Sequence, residues 1–336
     1  MIDCIFTIDY EIYGNGEGGL RELVYEPTQC LMATFKEFDV KFVAFVEAAE
    51  LDRIEEKKSD SAIVDVREQV RELHVQGFEI GLHLHPQWYN GRYENGKWLL
   101  DDSEYNLCTL REERITQIVE RSISYLRGVL DKDDFVPLSF RAGNWLFQPT
   151  ATAAAVLAGN GIRIDSSVFK GGLQHGQTLD YRRALKNGSY WPFSQDVNEP
   201  NLEGPWIEIP VYTEMVPFWR MLTSKRVGLQ NRGGAEGRSV RQRLNRLLDF
   251  SRFLYPLKLD FCRMTLEELK SMMGKVIRKD QQDPRPYRPV VAIGHSKDLV
   301  DFETVKSFLS FLQLNGVAVS TFADVYPRVK EASHQA

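Results

Sequence analysis

The alternation of short apolar runs with amphipathic segments constrains the fold of this chain most strongly. Ile2–Ile8 is apolar and rich in β-branched residues, which predicts a buried strand. Thr28–Phe38 follows Pro27 and has apolar residues at helical spacing, which predicts a helix. Further predicted strands are Lys41–Phe45, Phe78–Leu82, Leu138–Phe140, Ile162–Ile164, Ile207–Pro210, Val290–Ile293 and Val317–Ser320. Further predicted helices are Ile63–Gln76, Leu110–Leu130, Ala151–Ala158, Leu266–Arg278 and Phe302–Leu314.

This alternation favours a parallel sheet covered by helices. About seven such units in one chain predict a closed or nearly closed α/β barrel, with the functional site at the carboxyl ends of the strands. We expect a single barrel domain over residues 1–330, with insertions at about 88–107 and 170–260, and a disordered tail at 331–336. The first insertion is aromatic and polar, which favours a loop or small hairpin over the site.

The second insertion contains a basic segment, Trp219–Arg252, for which the sequence leaves two interpretations open. It is either a solvated helical insertion or a patch for an anionic substrate or an anionic membrane surface. A peripheral contact with a membrane is therefore one expectation of the sequence.

Composition narrows the class of protein. The 336 residues are 43% apolar and 26% charged, as in a soluble globular protein, and the net charge of −5 gives no reason to expect nucleic-acid binding. The 4 cysteines form no CxxC pair, which excludes a zinc ribbon and favours a reducing compartment. Met1 leads directly into a strand and no long apolar run follows, so we expect a cytoplasmic protein without a secretory signal.

Three predicted strand ends carry side chains suited to catalysis: Thr7–Glu11, Gly81–Pro86 and Ile293–Ser296. The middle one places His83 and His85 two residues apart, and side chains at this spacing in an extended segment point the same way. Two imidazoles aimed at one point indicate a metal site or a proton-transfer site. The alternative is a structural pair of histidines that bond to the backbone.

The order of several motifs resembles that of the polysaccharide deacetylase family, which is carbohydrate esterase family 4 with NodB homology. These motifs are Thr-x-Asp near the amino terminus, then Glu-Ile-Gly-x-His, Phe-Arg-Ala-Gly-Asn-Trp, Asp-Ser-Ser and a late Gly-His, spread over roughly residues 1–325. The His-Leu-His-Pro and Gly-His-Ser-Lys-Asp-Leu forms resemble a branch associated with O-antigen and other surface polysaccharides. The resemblance implies a distorted (β/α) barrel of about seven parallel strands and metal-assisted removal of an acetyl group from a sugar.

The resemblance also implies a role for each matching residue. The catalytic residues would be Asp9 as general base, Arg141 as the group that orients it, and His295 as the acid that protonates the leaving amine. The metal ligands would be Glu11, His83 and His85. The substrate-binding residues would be Trp145 at the floor of the sugar pocket, with Asn144 and Trp88 beside it.

The chain departs from the family pattern in two places. Tyr10 separates two acids that are usually adjacent, but Asp9 and Glu11 still face the same side of an extended strand. The family's second histidine comes four residues after the first, where this chain has Gln87. Either His85 substitutes for it with a changed geometry, or the site has only one histidine that matches the family. One divalent metal is expected, zinc first, with cobalt, nickel, manganese or iron as alternatives.

The predicted function is therefore a hydrolase that deacetylates an N-acetylated sugar made for a surface polysaccharide such as O-antigen. The expected partner is an acetylated saccharide, free or linked to a nucleotide or lipid; the sequence does not indicate an oligomeric state. Two alternatives stay open: an amidohydrolase acting on a non-sugar or cyclic amide, and a non-catalytic carbohydrate-binding relative.

Overall fold

A computed structural model describes residues 1–174, 176, 178–221, 223, 225–226 and 253–335. Its strands are β1 (Ile2–Tyr10), β2 (Val43–Glu47), β3 (Glu79–Leu84), β4 (Arg92–Glu94), β5 (Lys97–Leu99), β6 (Ser139–Ala142), β7 (Ile164–Asp165), β8 (Leu173–Gln174), β9 (Leu179–Asp180), β10 (Trp191–Phe193), β11 (Trp206–Glu208), β12 (Thr213–Pro217), β13 (Leu254–Lys258), β14 (Arg288–His295) and β15 (Ala318–Val319). Its α-helices are Glu26–Glu37, Ala48–Lys57, Ile63–Val75, Gln87–Asn90, Glu112–Leu130, Ala151–Gly159, Leu266–Gln282, Phe302–Leu314 and Phe322–Gln335.

The main sheet is curled and almost entirely parallel. Its strands follow the order β10-β11-β7-β6-β3-β2-β1-β14, and β15 also pairs with β1. Among the strands of this sheet that the structure describes, only β10 and β11 pair antiparallel. Beyond β11, Val211 forms parallel bridges with both Phe169 and Val291, so the backbone there lies between the β7 side of the sheet and β14. The sheet thus curls back toward its first strands and confirms the predicted α/β barrel.

Aromatic side chains fill the interface between the sheet and its helices. All nine residues of β1 are buried. The Phe6 ring centroid lies 5.2 Å from those of Phe35 and Phe261 and 5.7 Å from that of Phe308. Burying a side chain of this size contributes about 1.5–3 kcal/mol. This packing fixes β1, and with it the side chains that follow at its carboxyl end.

Several boundaries and elements differ from the expectations. The hairpin β4–β5 does lie within the first predicted insertion, with its turn at Asn95 (φ 51°) and Gly96 (φ 78°). Strands β10 and β11, however, fall within the second predicted insertion and belong to the main sheet, because β11 pairs with β7. The helix Phe322–Gln335 covers most of the predicted disordered tail, since its apolar face packs on the barrel through Phe322 and Val329.

Most of the basic segment Trp219–Arg252, including residues 227–252, lies outside the described residues. Across the residues that are described, no helix combines the length and the apolar character needed to cross a membrane.

Candidate active site

Strand register brings the predicted site residues together at the carboxyl edge of the sheet. Asp9 of β1 pairs with His295 of β14. His83 of β3 pairs with Glu47 of β2 on one side and with Arg141 of β6 on the other. These three strand pairs therefore place acids, imidazoles and a guanidinium within one small volume, although Asp9 and His295 lie near opposite ends of the sequence.

Glu11 lies against both histidines of the opening motif. Its Oε2 is 3.4 Å from Nε2 of His83 and 3.1 Å from Nε2 of His85, and all three side chains are buried. The other carboxylate oxygen, Oε1, accepts a hydrogen bond from Nζ of Lys297 at 2.7 Å. Burial would raise the pKa of Glu11, but Lys297 and the two histidines outweigh it and hold that pKa well below its usual range.

His83 is oriented by the backbone of the neighbouring strand. Its Nδ1 lies 2.8 Å from the carbonyl oxygen of Arg141, and since a carbonyl only accepts, this nitrogen carries a proton. Nε2 is buried without a hydrogen-bond partner in the described part of the chain, and it faces Glu11. Burial disfavours a charged ring, but Asp9 and Glu11 raise the pKa of His83 to about 9. The site therefore favours a cation at this point, either a proton or a metal ion.

Glu47 is a site residue that the sequence analysis did not select. Its Oε2 accepts a hydrogen bond from the backbone N–H of His85 at 2.7 Å. One donor atom from each of Glu11, Glu47, His83 and His85 lies within 4.8 Å of the others. Burial raises the pKa of Glu47 to about 8. Like Asp9, Glu47 is an acid at the carboxyl end of an apolar strand, and this position could have identified it as a site residue from the sequence.

His85 is surrounded by two side-chain amides. Its Nδ1 lies 3.2 Å from Nδ2 of Asn144 and 3.4 Å from Nε2 of Gln87. Gly143 permits this arrangement, because a Cβ there would lie 2.5 Å from the Leu84 carbonyl oxygen and 2.7 Å from the His85 ring. Gln87 thus contacts the ring of His85 through its side-chain amide.

Asp9 is held by a buried guanidinium. Nη1 of Arg141 donates to Oδ1 of Asp9 at 2.7 Å and to Oγ1 of Thr7 at 3.0 Å, and its Nε donates to the carbonyl oxygen of Ser166. Burial alone would raise the pKa of Asp9, but Arg141, His83 and His295 lower it. Asp9 is therefore an ionised carboxylate at neutral pH, as a general base requires.

His295 lies on the other side of Asp9. Its Nε2 is 3.3 Å from Oδ2 of Asp9, and its Nδ1 is buried without a hydrogen-bond partner in the described residues. Its side chain is 15% exposed, more than those of Asp9 and Glu11. Burial lowers the pKa of His295. Asp9, Glu11 and His295 also form a second group whose donor atoms lie within 4.8 Å of one another.

The three predicted substrate-binding residues have different surroundings. Trp88 is only 1% exposed and packs edge-on against Trp98, with 5.0 Å between the ring centroids. Asn144 contacts His85. Trp145 is partly buried, and its ring lies 4.0 Å from Nζ of Lys258 and 5.5 Å from the Arg141 guanidinium. Lys258 is another residue that the sequence analysis missed.

Together these groups are suited to hydrolysis. An ionised carboxylate and an imidazole face each other, and beside them two imidazoles and two carboxylates converge. A carboxylate next to a histidine can move a proton from water to a leaving group. Imidazole and carboxylate together are a usual donor set for a catalytic divalent metal.

No protein-family model matches the chain, and no curated protein matches its sequence. A solved structure described as a polysaccharide deacetylase from Mycobacterium smegmatis matches with a TM-score of 0.55 and 14% identity, over 98% of this chain and 91% of that one. A GH57 branching enzyme from Thermococcus kodakaraensis matches with a TM-score of 0.53 and 11% identity, over 97% and 70%. The PuuE allantoinase matches with a TM-score of 0.51 and 12% identity, over 96% and 88%. At these identities the likeness establishes the fold, a distorted (β/α) barrel that polysaccharide deacetylases share.

Proposed function

We propose that this protein is a metal-dependent hydrolase that removes an acetyl group from an N-acetylated sugar. One observation carries the proposal: the imidazoles of His83 and His85 converge on Glu11, directly beside the Arg141–Asp9 pair and His295. The motif order that resembles the deacetylase family and the shared barrel fold both agree with it.

The residues present fit a divalent metal. The buried Nε2 of His83 has no hydrogen-bond partner among the described residues, and its lone pair could coordinate a metal ion. Glu11, His83 and His85 would hold the ion, and Glu47 lies within reach as a further carboxylate ligand. The ion would polarise the acetyl carbonyl and acidify water. With nitrogen and carboxylate donors, zinc is the first candidate, followed by cobalt, nickel, manganese or iron.

His85 needs an acceptor for its Nδ1 proton when its Nε2 faces a metal. The amides of Gln87 and Asn144 are both within 3.4 Å of this nitrogen, and each amide can present its oxygen after a half-turn. The buried Oε1 of Gln87 has no other hydrogen-bond partner among the described residues. In this proposal His85 replaces the family's second histidine, and Gln87 orients it.

The proton transfers follow from the positions of Asp9 and His295. Asp9 accepts a proton from the attacking water, while Arg141 keeps this carboxylate ionised and in place. The 3.3 Å separation between Asp9 and His295 gives that proton a direct path to the imidazole. His295 then donates to the departing nitrogen, which leaves as an amine.

The finer parts of the proposal rest on the sequence motifs. The His-Leu-His-Pro and Gly-His-Ser-Lys-Asp-Leu segments resemble those of proteins associated with surface polysaccharides, so the substrate would be an intermediate of O-antigen or a similar polymer. Such an intermediate is linked to a nucleotide or a lipid, and would meet the enzyme in the cytoplasm, in the second case at a membrane surface.

A second candidate function is the hydrolysis of a cyclic amide. We include this candidate because the fold is similar to that of the PuuE allantoinase, with a TM-score of 0.51. The same converging metal ligands would serve either reaction, since both polarise an amide carbonyl.

Acetate release from N-acetylated sugars, measured before and after metal removal with a chelator, tests the proposal. We expect activity to disappear on chelation and to return with zinc or another divalent ion. His83→Ala should lose bound metal, measured by elemental analysis, and should lose activity with it.

The matched control is His74→Ala, a histidine on the helix Ile63–Val75 away from the site. It should keep both metal and activity. Intact activity in His83→Ala would refute the metal mechanism. Turnover of a cyclic amide without acetate release from any sugar would favour the second function, and saccharide binding without turnover would indicate a non-catalytic protein.

A further inference from the structure

Lys258 at the end of β13 is a cation held by aromatic rings. Its Nζ lies 4.0 Å from the ring centroid of Trp145 and 4.6 Å from that of Phe169. Within the described residues this ammonium has neither a hydrogen bond nor an ion pair. Cation–π contacts place the charge but do not neutralise it.

The other cations near this position are already paired. Arg141 contacts the carboxylate of Asp9 at 2.7 Å, and Arg263 contacts that of Asp298 at 2.6 Å. Lys258 is the member of this group without a carboxylate partner in the described part of the chain. Burial is the main influence on its ammonium and lowers its pKa to about 8, although Asp260 opposes this effect. An anion beside it would offset that burial.

The ammonium is also next to the proposed reaction centre. Both cations lie near the ring of Trp145, with the Arg141 guanidinium 5.5 Å and the Lys258 ammonium 4.0 Å from its centroid. Arg141 in turn contacts Asp9. A sugar whose acetyl group reaches Asp9 therefore has the Lys258 ammonium within the span of one or two saccharide units.

We propose that Lys258, positioned by Trp145 and Phe169, binds an anionic group of the substrate, a carboxylate or a phosphate attached to the acetylated saccharide. The inference rests on the proposed function and adds a substrate class to it. Trp145 then acts mainly by holding a cation, in place of the sugar floor that the family resemblance implies.

Three related sugars test the inference: N-acetylglucosamine, N-acetylglucosamine 1-phosphate and N-acetylmuramic acid, which are neutral, phosphorylated and carboxylated. We expect a higher kcat/KM for at least one anionic sugar, and the better one identifies the group that is bound. In Lys258→Met the ratio of anionic to neutral kcat/KM should fall roughly 10- to 100-fold, mostly through KM, because a charge-assisted hydrogen bond is lost. Lys258→Arg should restore much of the ratio.

Lys170→Met is the matched control. Lys170 also lies over an aromatic ring, Trp191 at 5.3 Å, but it donates to the backbone carbonyls of Asn187 and Gly188. This variant should leave the ratio unchanged. Equal kcat/KM for all three sugars in the wild type, or the same ratio in Lys258→Met, would overturn the inference while leaving deacetylation intact.

A binding measurement separates this inference from the proposed function. Glucose 1-phosphate and glucuronate have no acetyl group, so calorimetry with the metal-loaded protein reports anion binding alone. Binding of either that weakens in Lys258→Met supports the anion site even if no sugar is deacetylated. Affinities no greater than that of glucose would refute it.

Discussion

Two pairs of buried acids at strand ends differ in the charges that face them. Asp9 and Glu11 each contact a cationic side chain, Arg141 and Lys297 respectively, at 2.7 Å. Asp165 and Glu208 face each other across β7 and β11, and in the described part of the chain neither forms a salt bridge with a lysine or arginine. Their oxygens instead accept from Ser167 and from the backbone N–H of Val168.

The two pairs of carboxyl groups therefore differ in how readily they ionise. Burial would raise the pKa of all four carboxyls, but the cations beside Asp9 and Glu11 outweigh it and lower theirs. Without such partners, burial raises the pKa of Asp165 and Glu208, which favours a proton on this pair. A carboxylate at a strand end thus becomes a base only where the fold supplies a counter-charge. Asp165 of the Asp-Ser-Ser segment therefore has a structural role, as the acceptor of hydrogen bonds from Ser167.

Asp9→Asn gives the largest expected effect and tests the first pair. Asparagine keeps the shape and can still accept from Arg141, but it cannot take a proton from water. Loss of a general base lowers rates by about 10²- to 10⁴-fold. We expect kcat for acetate release to fall within this range while the melting temperature changes little. Near-normal kcat in a folded variant would show that another group is the base.

Glu47 shares a feature with each pair of acids. Its pKa is raised, as in Asp165 and Glu208, but it lies beside Glu11 and the two histidines of the candidate metal site. In Glu47→Gln the oxygen that accepts from the His85 N–H is retained, but the side chain can no longer ionise to bind a metal ion. Whether Glu47 binds the metal or orients His85, metal affinity should fall roughly 10- to 100-fold. Competition with a chromogenic chelator measures it.

Glu50→Gln is the matched control for Glu47. Glu50 is also buried and accepts from the backbone N–H of Ile12, but it belongs to neither group of side chains that could hold a metal. Its substitution should leave the affinity within about threefold, a difference near 0.6 kcal/mol. If metal affinity fell equally in Glu47→Gln and Glu50→Gln, the effect would come from the loss of any nearby acid and not from a specific role of Glu47.

Glu208→Gln tests the second pair through stability. The folded-state pKa of Glu208 is raised above the unfolded value of about 4.3. The stability from its bound proton is therefore complete below that unfolded pKa and is lost as pH rises through the folded pKa. Over that window the free energy of unfolding falls by about 1.4 kcal/mol per pH unit for each proton.

Glutamine at position 208 cannot ionise, so the decline in stability with rising pH should become shallower by one proton's contribution. Urea unfolding between about pH 5 and pH 9 measures this slope. Glu203→Gln, an exposed glutamate before β11, should show the wild-type slope. An unchanged slope in Glu208→Gln would mean that the pair is ionised at neutral pH.

Local patterns predicted the barrel and much of the candidate site. Apolar runs in the sequence identify the strands, and in a parallel sheet the carboxyl ends of the strands lie at one edge. The sequence therefore predicts that Asp9, His83 and His295 lie close together. Glu47 satisfies the same rule and was overlooked. Lys258 could not be predicted, because its contact with Trp145 depends on how the paired strands β12 and β13 pack, more than a hundred residues later in the chain. The burial of Trp88 likewise depends on the β4–β5 hairpin that carries Trp98.

The pairing of β1 with β14 also sets the order in which the site can form. These strands match residue for residue from Ile2↔Arg288 to Asp9↔His295. During synthesis β1 emerges long before β14, so one of its edges stays unpaired until β14 is made. A contact between such distant segments also closes a very long loop. Until then that edge presents unpaired backbone groups, which are prone to pair with other chains. The nascent protein therefore acquires the Asp9–His295 pair only after most of the barrel has left the ribosome.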